Sequence, residues 1–144
     1  MKYWLLVTSA ADFRHDRDKM KFKLIGLPSR LKKSVSRMEK GDKVVYYITK
    51  EKKFGAISVI TGESYEGFNE VWVGSGNIWP TRCPSKQYLV LQDKELIDAV
   101  TLIPSLSFVK DKKNWSGYFQ GSLRQIPEED FLLIESQFKK VIKQ

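Results

Sequence analysis

The chain has 144 residues, of which 42% are hydrophobic and 29% are charged, and its formal net charge is +8 at pH 7. This length and composition predict one globular domain over residues 1–144 and exclude an intrinsically disordered chain. No apolar run approaches the roughly 20 residues that span a bilayer, and a single cysteine allows no internal disulfide. We therefore expect a cytoplasmic monomer that has no membrane partner.

The basic side chains are concentrated in two blocks. Residues 19–53 hold twelve basic and three acidic side chains, and residues 110–125 hold four basic side chains and one acidic side chain. A one-sided electrostatic field attracts polyanions and accelerates their association. The distribution of charge therefore indicates a nucleic-acid partner, and the alternative is a solvated, lysine-rich surface.

The first half of the chain predicts strands with a short helix between them. Residues 2–8 are aromatic and aliphatic and predict a strand. The polar residues 10–22 predict a short helix, and residues 26–29 predict a turn or a backbone crossing. Residues 43–49 are rich in β-branched and aromatic side chains, so we expect a strand that pairs with a second strand at residues 54–65.

The second half begins with a long irregular segment. Residues 66–86 contain three glycines and two prolines, and long loops of this kind are often functional. Residues 87–92 predict another strand. Residues 96–106 form an apolar segment that Pro104 interrupts, and residues 110–121 predict a loop with short extended pieces.

The C-terminal segment has the strongest helix pattern. Pro127 suits the first helical position, acidic residues follow it, and lysines lie at the end, as the helix dipole favours. Apolar residues at helical spacing predict a face that packs on the core, namely Phe131, Ile134, Phe138, Val141 and Ile142. With strands in the middle of the chain and helices at its ends, the pattern indicates an α+β domain around a small, mostly antiparallel β-barrel or sheet.

The search for catalytic residues finds no supporting motif. His15 is the only histidine and lies in a charged stretch, where we expect an exposed side chain, and Cys83 is the only cysteine. A nucleophilic triad needs a base beside its nucleophile, and a zinc site needs several such ligands. No glycine-rich phosphate-binding loop occurs. We therefore predict that the protein is not an enzyme, with no metal and no cofactor.

Basic residues beside turns and aromatic side chains are the candidate nucleic-acid contacts. We expect Ser29 to cap a short helix whose first amides would receive a phosphate together with nearby cations. Aromatic rings beside basic side chains suit flipped or single-stranded bases. A solvated helix face and buried tryptophans are the alternatives, and for Trp4 we favour the core. The candidates are Ser29, Arg30, Lys32, Lys33, Arg37, Trp79, Arg82, Trp115 and Phe119.

Five segments occur in an order that is more specific than any one of them. They are residues 3–9, 26–30, 36–47, 108–115 and 121–131. This order resembles that of the EVE domain family in the PUA-like superfamily, and the resemblance covers essentially the whole chain. It implies a small, mostly antiparallel PUA-like β-barrel flanked by helices, with a C-terminal helix. It also implies kinship with YTH domains, which hold methylated adenine in an aromatic cage, and a pocket that reads a flipped, often modified base.

The resemblance also assigns roles to residues of this chain. Ser9 would end the first strand at the mouth of the pocket, while Gly26 and Leu27 would offer backbone groups to the edge of the base. Trp79 would form a wall of the cage. The closing segment would contribute Ser122 and Arg124.

This chain departs from the family pattern at Ile25, where related domains often carry tryptophan, which weakens one wall of an aromatic cage and leaves a shape-selective pocket as the alternative. The leading hypothesis is a nucleic-acid-binding domain that reads a base of RNA or DNA in a pocket beside a basic surface. One alternative is an enzyme that acts on a nucleotide or another small anionic ligand in the same pocket. The other is an RNA-binding accessory domain without base selectivity.

Overall fold

The computed structural model describes residues 1–72 and 75–143. Its strands are β1 (Tyr3–Thr8), β2 (Leu24–Leu27), β3 (Lys43–Ile48), β4 (Lys53–Ile60), β5 (Tyr65–Glu66), β6 (Thr81–Val90), β7 (Ile97–Asp98) and β8 (Leu123–Ile126). Its α-helices are α1 (Ala10–His15), α2 (Lys32–Ser36) and α3 (Glu128–Ile142). A π-helical turn (Asp16–Met20) follows α1, and short 3₁₀ turns lie at Ser29–Leu31, Asp93–Glu95, Val100–Ser105 and Trp115–Phe119.

The strands form one mixed, curved sheet in the order β2-β6-β4-β3-β1-β8. Neighbouring strands are antiparallel except β1 and β3, which are parallel. The short strands β5 and β7 pair with β6 and β4. The sheet curves into a half-barrel with helices around it, which confirms the predicted α+β fold of PUA-like type. Among the described helices, none is both long enough and apolar enough to cross a membrane.

Both faces of the sheet are covered, and β3 shows this most clearly. Val45 and Tyr47 belong to one hydrophobic cluster, whereas Val44 and Tyr46 belong to the cluster on the opposite face. Successive side chains of a strand point to opposite faces, so a strand covered on both sides is a continuous apolar run rather than an alternating one.

Helix α3 covers one face with the residues that the sequence predicts. Phe131, Ile134 and Phe138 are all fully buried, whereas Val141 is half-buried and Ile142 is exposed. The buried stripe therefore ends one turn earlier than expected. The acidic first turn also has a structural role, because the buried Asp130 carboxylate accepts hydrogen bonds from two backbone N–H groups of the segment before β8. Trp4 is buried in the core as predicted, and its indole N–H donates to Asp42.

Several local predictions were wrong. Gly26 and Leu27, expected in a turn, are the last residues of β2, and the strand expected over residues 54–65 ends at Ile60. Strand β6 begins at Thr81, inside the segment expected to be irregular, because its first half pairs with the remote strands β2 and β5. Residues 73 and 74 of that segment lie outside the described residues. Ser29 does not cap a helix: the short turn begins after Pro28, and no side-chain cap is present. His15 is half-buried rather than exposed, with Nε2 2.8 Å from the carbonyl oxygen of Val71.

Candidate functional site

A pocket of about 420 Å³ opens where the curved sheet does not close. Its wall combines the end of β1, the first turns of α1, strand β2, the loop between β5 and β6, and residues 119–122 before β8. Strand β1 and strand β2 lie far apart in the sheet order. The curvature of the half-barrel therefore brings its two ends to the same cavity.

Trp72 is the most constrained aromatic residue of the pocket. Its side chain is 2% exposed, and its indole N–H donates a 2.8 Å hydrogen bond to Asp16 Oδ1. The ring lies against Gly26: a Cβ atom at that position would lie 2.6 Å and 2.7 Å from two of its carbon atoms. Only glycine in β2 leaves room for this indole. The 2.8 Å contact between His15 and the carbonyl oxygen of Val71 fixes the same part of the loop to α1.

Asp16 is a buried carboxyl group on the pocket wall. It is 6% exposed, and burial raises its pKa to about 7, against the opposing effect of the hydrogen bond from Trp72. A buried carboxyl group resists ionisation because the charged form loses its hydration. The pocket therefore contains an acid that changes its charge near neutral pH.

Trp79 lies near the end of the loop between β5 and β6, just before β6, and it also lines the pocket. Its backbone has a φ of 49°, in the left-handed region that non-glycine residues rarely adopt. Its carbonyl oxygen accepts a 3.0 Å hydrogen bond from the Arg82 side chain. The half-buried indole is therefore presented from a fixed backbone position.

The buried side chain of Arg82 holds the loop between β5 and β6 in place. The sequence indicated a surface contact to nucleic acid, but Arg82 is 1% exposed. Its guanidinium donates to the carbonyl oxygens of Asn69, Ile78 and Trp79, to the Asn69 side chain, and lies 5.5 Å from the Trp72 ring. These carbonyl acceptors compensate for the loss of hydration, so Arg82 positions both indoles and does not line the pocket.

The remaining walls come from β1, α1 and the closing segment. Ser9 follows β1 as predicted, and its hydroxyl accepts the Asp12 backbone N–H at 3.1 Å, which caps α1. Ser122 has a φ of 72°, and its carbonyl oxygen accepts a 2.8 Å hydrogen bond from the Val7 backbone N–H. This bond extends the contact between β1 and β8 to the rim of the pocket.

The basic segment that follows β2 is exposed next to this rim. Pro28 lines the pocket, and the exposed side chains follow it directly: Arg30, Lys32, Lys33 and Arg37. Lys32 lies 3.7 Å from Glu66. Across the two described ranges, no ion pair involves the other three. Their charge is therefore available to a polyanion.

The structure brings some of the predicted site residues together and separates others. Those that line the pocket are Ser9, Gly26, Leu27, Trp79, Phe119 and Ser122. Ser29 is exposed beside the pocket. Trp115 packs against the core beneath Lys52, and Arg124 lies 5.4 Å from the Tyr118 ring, so neither side chain lines the pocket.

Several residues that line the pocket were not among the predicted site residues, and they include Asp16, Tyr46 and Trp72. Trp72 shares the glycine-rich loop with Trp79, and that shared position was the available signal. Asp16 lies in a charged stretch, so its local pattern indicated a surface residue. Tyr46 lies in an apolar strand, so its local pattern indicated a core residue.

Comparison with known proteins identifies the family. The EVE domain model matches residues 2–137. A UPF0310 protein of Pyrococcus abyssi is 34% identical, with 94% of this chain and 99% of the relative covered. Among solved structures, the Pho92 YTH domain in complex with m6A has a TM-score of 0.69 at 11% identity, covering 96% of this chain and 86% of that one. The YTH domain of Zygosaccharomyces rouxii MRB1, in complex with N6-methyladenosine RNA, has a TM-score of 0.65 at 13% identity, covering 95% and 87%. The chain belongs to the EVE domain family.

Proposed function

We propose that the protein is a binding module, rather than an enzyme, that holds single-stranded RNA or DNA and takes one flipped base into its pocket. The observation that carries this proposal is the juxtaposition of two features. An aromatic pocket contains the Trp72 and Trp79 side chains, and an exposed basic segment begins at its rim.

The pocket has the size and chemistry that a base requires. Its volume of about 420 Å³ falls within the roughly 300–1,000 Å³ typical of small-ligand sites. Indole rings stack on any base, because every base has a π face. Polar groups of Asp12 and Asp16 on the wall can fix the orientation of the base edge.

The basic segment suits the phosphates on either side of a flipped nucleotide. Arg30, Lys32, Lys33 and Arg37 are exposed on a short turn and helix that follow the pocket wall directly. Cations that neutralise phosphates release counterions, so they supply affinity without sequence preference. The pocket would then supply the selectivity.

The structural relatives support this assignment and suggest the first ligand to test. YTH domains with the same fold are found in complex with N6-methyladenosine RNA and with m6A. This chain combines an indole over Gly26 with a second indole at position 79. A modified adenine is therefore one candidate base among several.

Replacement of Trp79 by alanine tests the proposal. Short fluorescent RNA and DNA oligonucleotides, with one central base varied and including N6-methyladenine, are titrated by anisotropy. We expect Trp79→Ala to weaken binding about tenfold, because base–aromatic stacking contributes roughly 1–3 kcal/mol. The slope of log affinity against log salt should not change, because no phosphate contact is lost.

Tyr88→Ala provides the matched control, because Tyr88 is an exposed aromatic residue of β6 that does not line the pocket. Both variants are first compared with the unmodified protein by thermal unfolding. If Trp79→Ala folds normally and binds every oligonucleotide as tightly as the unmodified protein, the base pocket is wrong. Loss of binding only together with unfolding would make Trp79 a structural residue.

A further inference from the structure

The wall of the pocket contains a buried hydroxyl group without a partner. Tyr46 lines the pocket and is 1% exposed, yet its Oη forms no hydrogen bond with the residues that the structure describes. Ser58 on the neighbouring strand is fully buried, and its Oγ is also without a partner there. The pairing of Val44 with Ser58 and of Tyr46 with Ala56 places both hydroxyls on the same face of the sheet.

Asp16 lies close to this hydroxyl. Burial, followed by the negative charge of Asp16, raises the pKa of Tyr46 against the opposing effect of the nearby Ser58 hydroxyl, so the phenol stays protonated and can donate. Asp16 Oδ1 accepts the Trp72 N–H, and within the described ranges no hydrogen bond reaches Oδ2. The pocket wall therefore contains an O–H donor and, near it, a carboxylate whose Oδ2 accepts no hydrogen bond from the described residues.

Buried polar groups in folded proteins are almost always paired, because an unpaired group loses its hydration without compensation. Here both groups belong to the pocket wall, so a ligand can pair them. A carboxylate accepts only, and it needs an N–H group of the ligand. The phenol can donate to a ring nitrogen beside that N–H group.

We propose that Tyr46 and Asp16 read the polar edge of the bound base and select an exocyclic amino group next to a ring nitrogen, as in adenine, cytosine and their derivatives that keep an N–H. Asp16 Oδ2 accepts from the amino group, and Tyr46 Oη donates to the ring nitrogen. This inference rests on the proposed function, and it names the edge of the base that the pocket recognises.

The test uses two pairs of bases that differ only in the amino group. Single-stranded RNA nonamers of uridine carry one central nucleotide, either adenosine or purine riboside, and either cytidine or its 2-pyrimidinone analogue. Affinities are measured at pH 8, where most Asp16 is ionised. We expect the amino base of at least one pair to bind about tenfold tighter than its partner, which is the scale of a hydrogen bond to a charged group.

Two conservative variants assign this preference to the residues. Asp16→Asn keeps an acceptor for Trp72 but replaces the free acceptor with a donor, so the tenfold preference should disappear. Tyr46→Phe keeps the ring between Phe13 and Phe22 and should weaken binding of the amino base about fivefold without lowering the unfolding temperature. Tyr47→Phe is the matched control, because Tyr47 points to the opposite face of β3, and its affinities should equal those of the unmodified protein.

Equal affinities within both pairs, or preferences that survive in both pocket variants, overturn the inference. If Trp79→Ala still weakens binding in that case, the base pocket stands and only the reading of the amino edge is wrong. Binding that does not depend on Trp79 would overturn both the proposed function and this inference.

Discussion

Replacement of Gly26 by alanine tests whether the position of Trp72 depends on the missing side chain in β2. The new Cβ would overlap Cη2 of the indole and lie 2.6–2.7 Å from Cζ3 and Cζ2, whereas ordinary carbon contacts are about 3.5–4.0 Å. The ring must therefore retract by roughly 1.5 Å to reach an ordinary carbon contact, which strains its 2.8 Å hydrogen bond to Asp16.

The expected cost follows from these two effects. Overpacking of a filled site costs about 1–3 kcal/mol, and a weakened hydrogen bond adds about 0.5–1.5 kcal/mol. We expect the free energy of unfolding to fall by about 2–4 kcal/mol, which lowers the unfolding temperature by roughly 5–15 °C for a chain of this size. Urea unfolding followed by tryptophan fluorescence measures the change.

A double-mutant cycle separates the clash from other causes. In a Trp72→Ala background the added methyl group meets no indole, so Gly26→Ala should cost less than about 1 kcal/mol there. Gly117→Ala is the control, because nothing lies within 4 Å of its added Cβ. The same cost of Gly26→Ala in both backgrounds would refute the reasoning.

Three further predictions concern the core, the buried acid and the basic segment. Phe138→Ala should lower the free energy of unfolding by about 3–5 kcal/mol in urea unfolding, because the ring is fully buried; a loss below 1 kcal/mol would contradict its core position. Burial raises the pKa of Asp16 to about 7, so the folded state holds a proton that the unfolded state has released. As the pH rises from roughly 4 to 7, the free energy of unfolding should therefore fall by about 1.4 kcal/mol per pH unit relative to that of Asp16→Asn. Parallel urea titrations of the two proteins measure this difference, and identical pH profiles would exclude the raised pKa. Double replacement of Lys32 and Lys33 by alanine should reduce the salt slope of oligonucleotide binding by about 1.4, measured by anisotropy at several salt concentrations, and an unchanged slope would remove both lysines from the phosphate contacts.

The elements that the sequence predicted correctly have local signals. Helix α3 has a period of buried residues and charges suited to its dipole, and β3 has a dense run of β-branched and aromatic residues. These patterns need no knowledge of the rest of the chain. Local patterns alone left a sheet and a barrel as alternatives, and the order of the family segments indicated the barrel.

The candidate site was harder to predict because its contacts join remote segments. Trp72 and Asp16 are 56 positions apart, and their hydrogen bond depends on the space that Gly26 leaves in a third segment. Arg82 was misassigned to the surface for a related reason. A guanidinium that is satisfied by backbone carbonyl oxygens looks, in sequence, like any exposed arginine.

The position of β1 between β3 and β8 has a consequence for synthesis of the protein. Strand β1 pairs in parallel with β3 and antiparallel with β8, which ends at Ile126. During translation, β1 can pair with β3 early, but its other edge stays open until β8 has left the ribosome. Pairing between such distant segments is slow, and an open strand edge can associate with other chains. The nascent protein therefore has no complete pocket until β8 and the segment before it have been synthesised, and a chain that terminates before β8 leaves one edge of β1 unpaired.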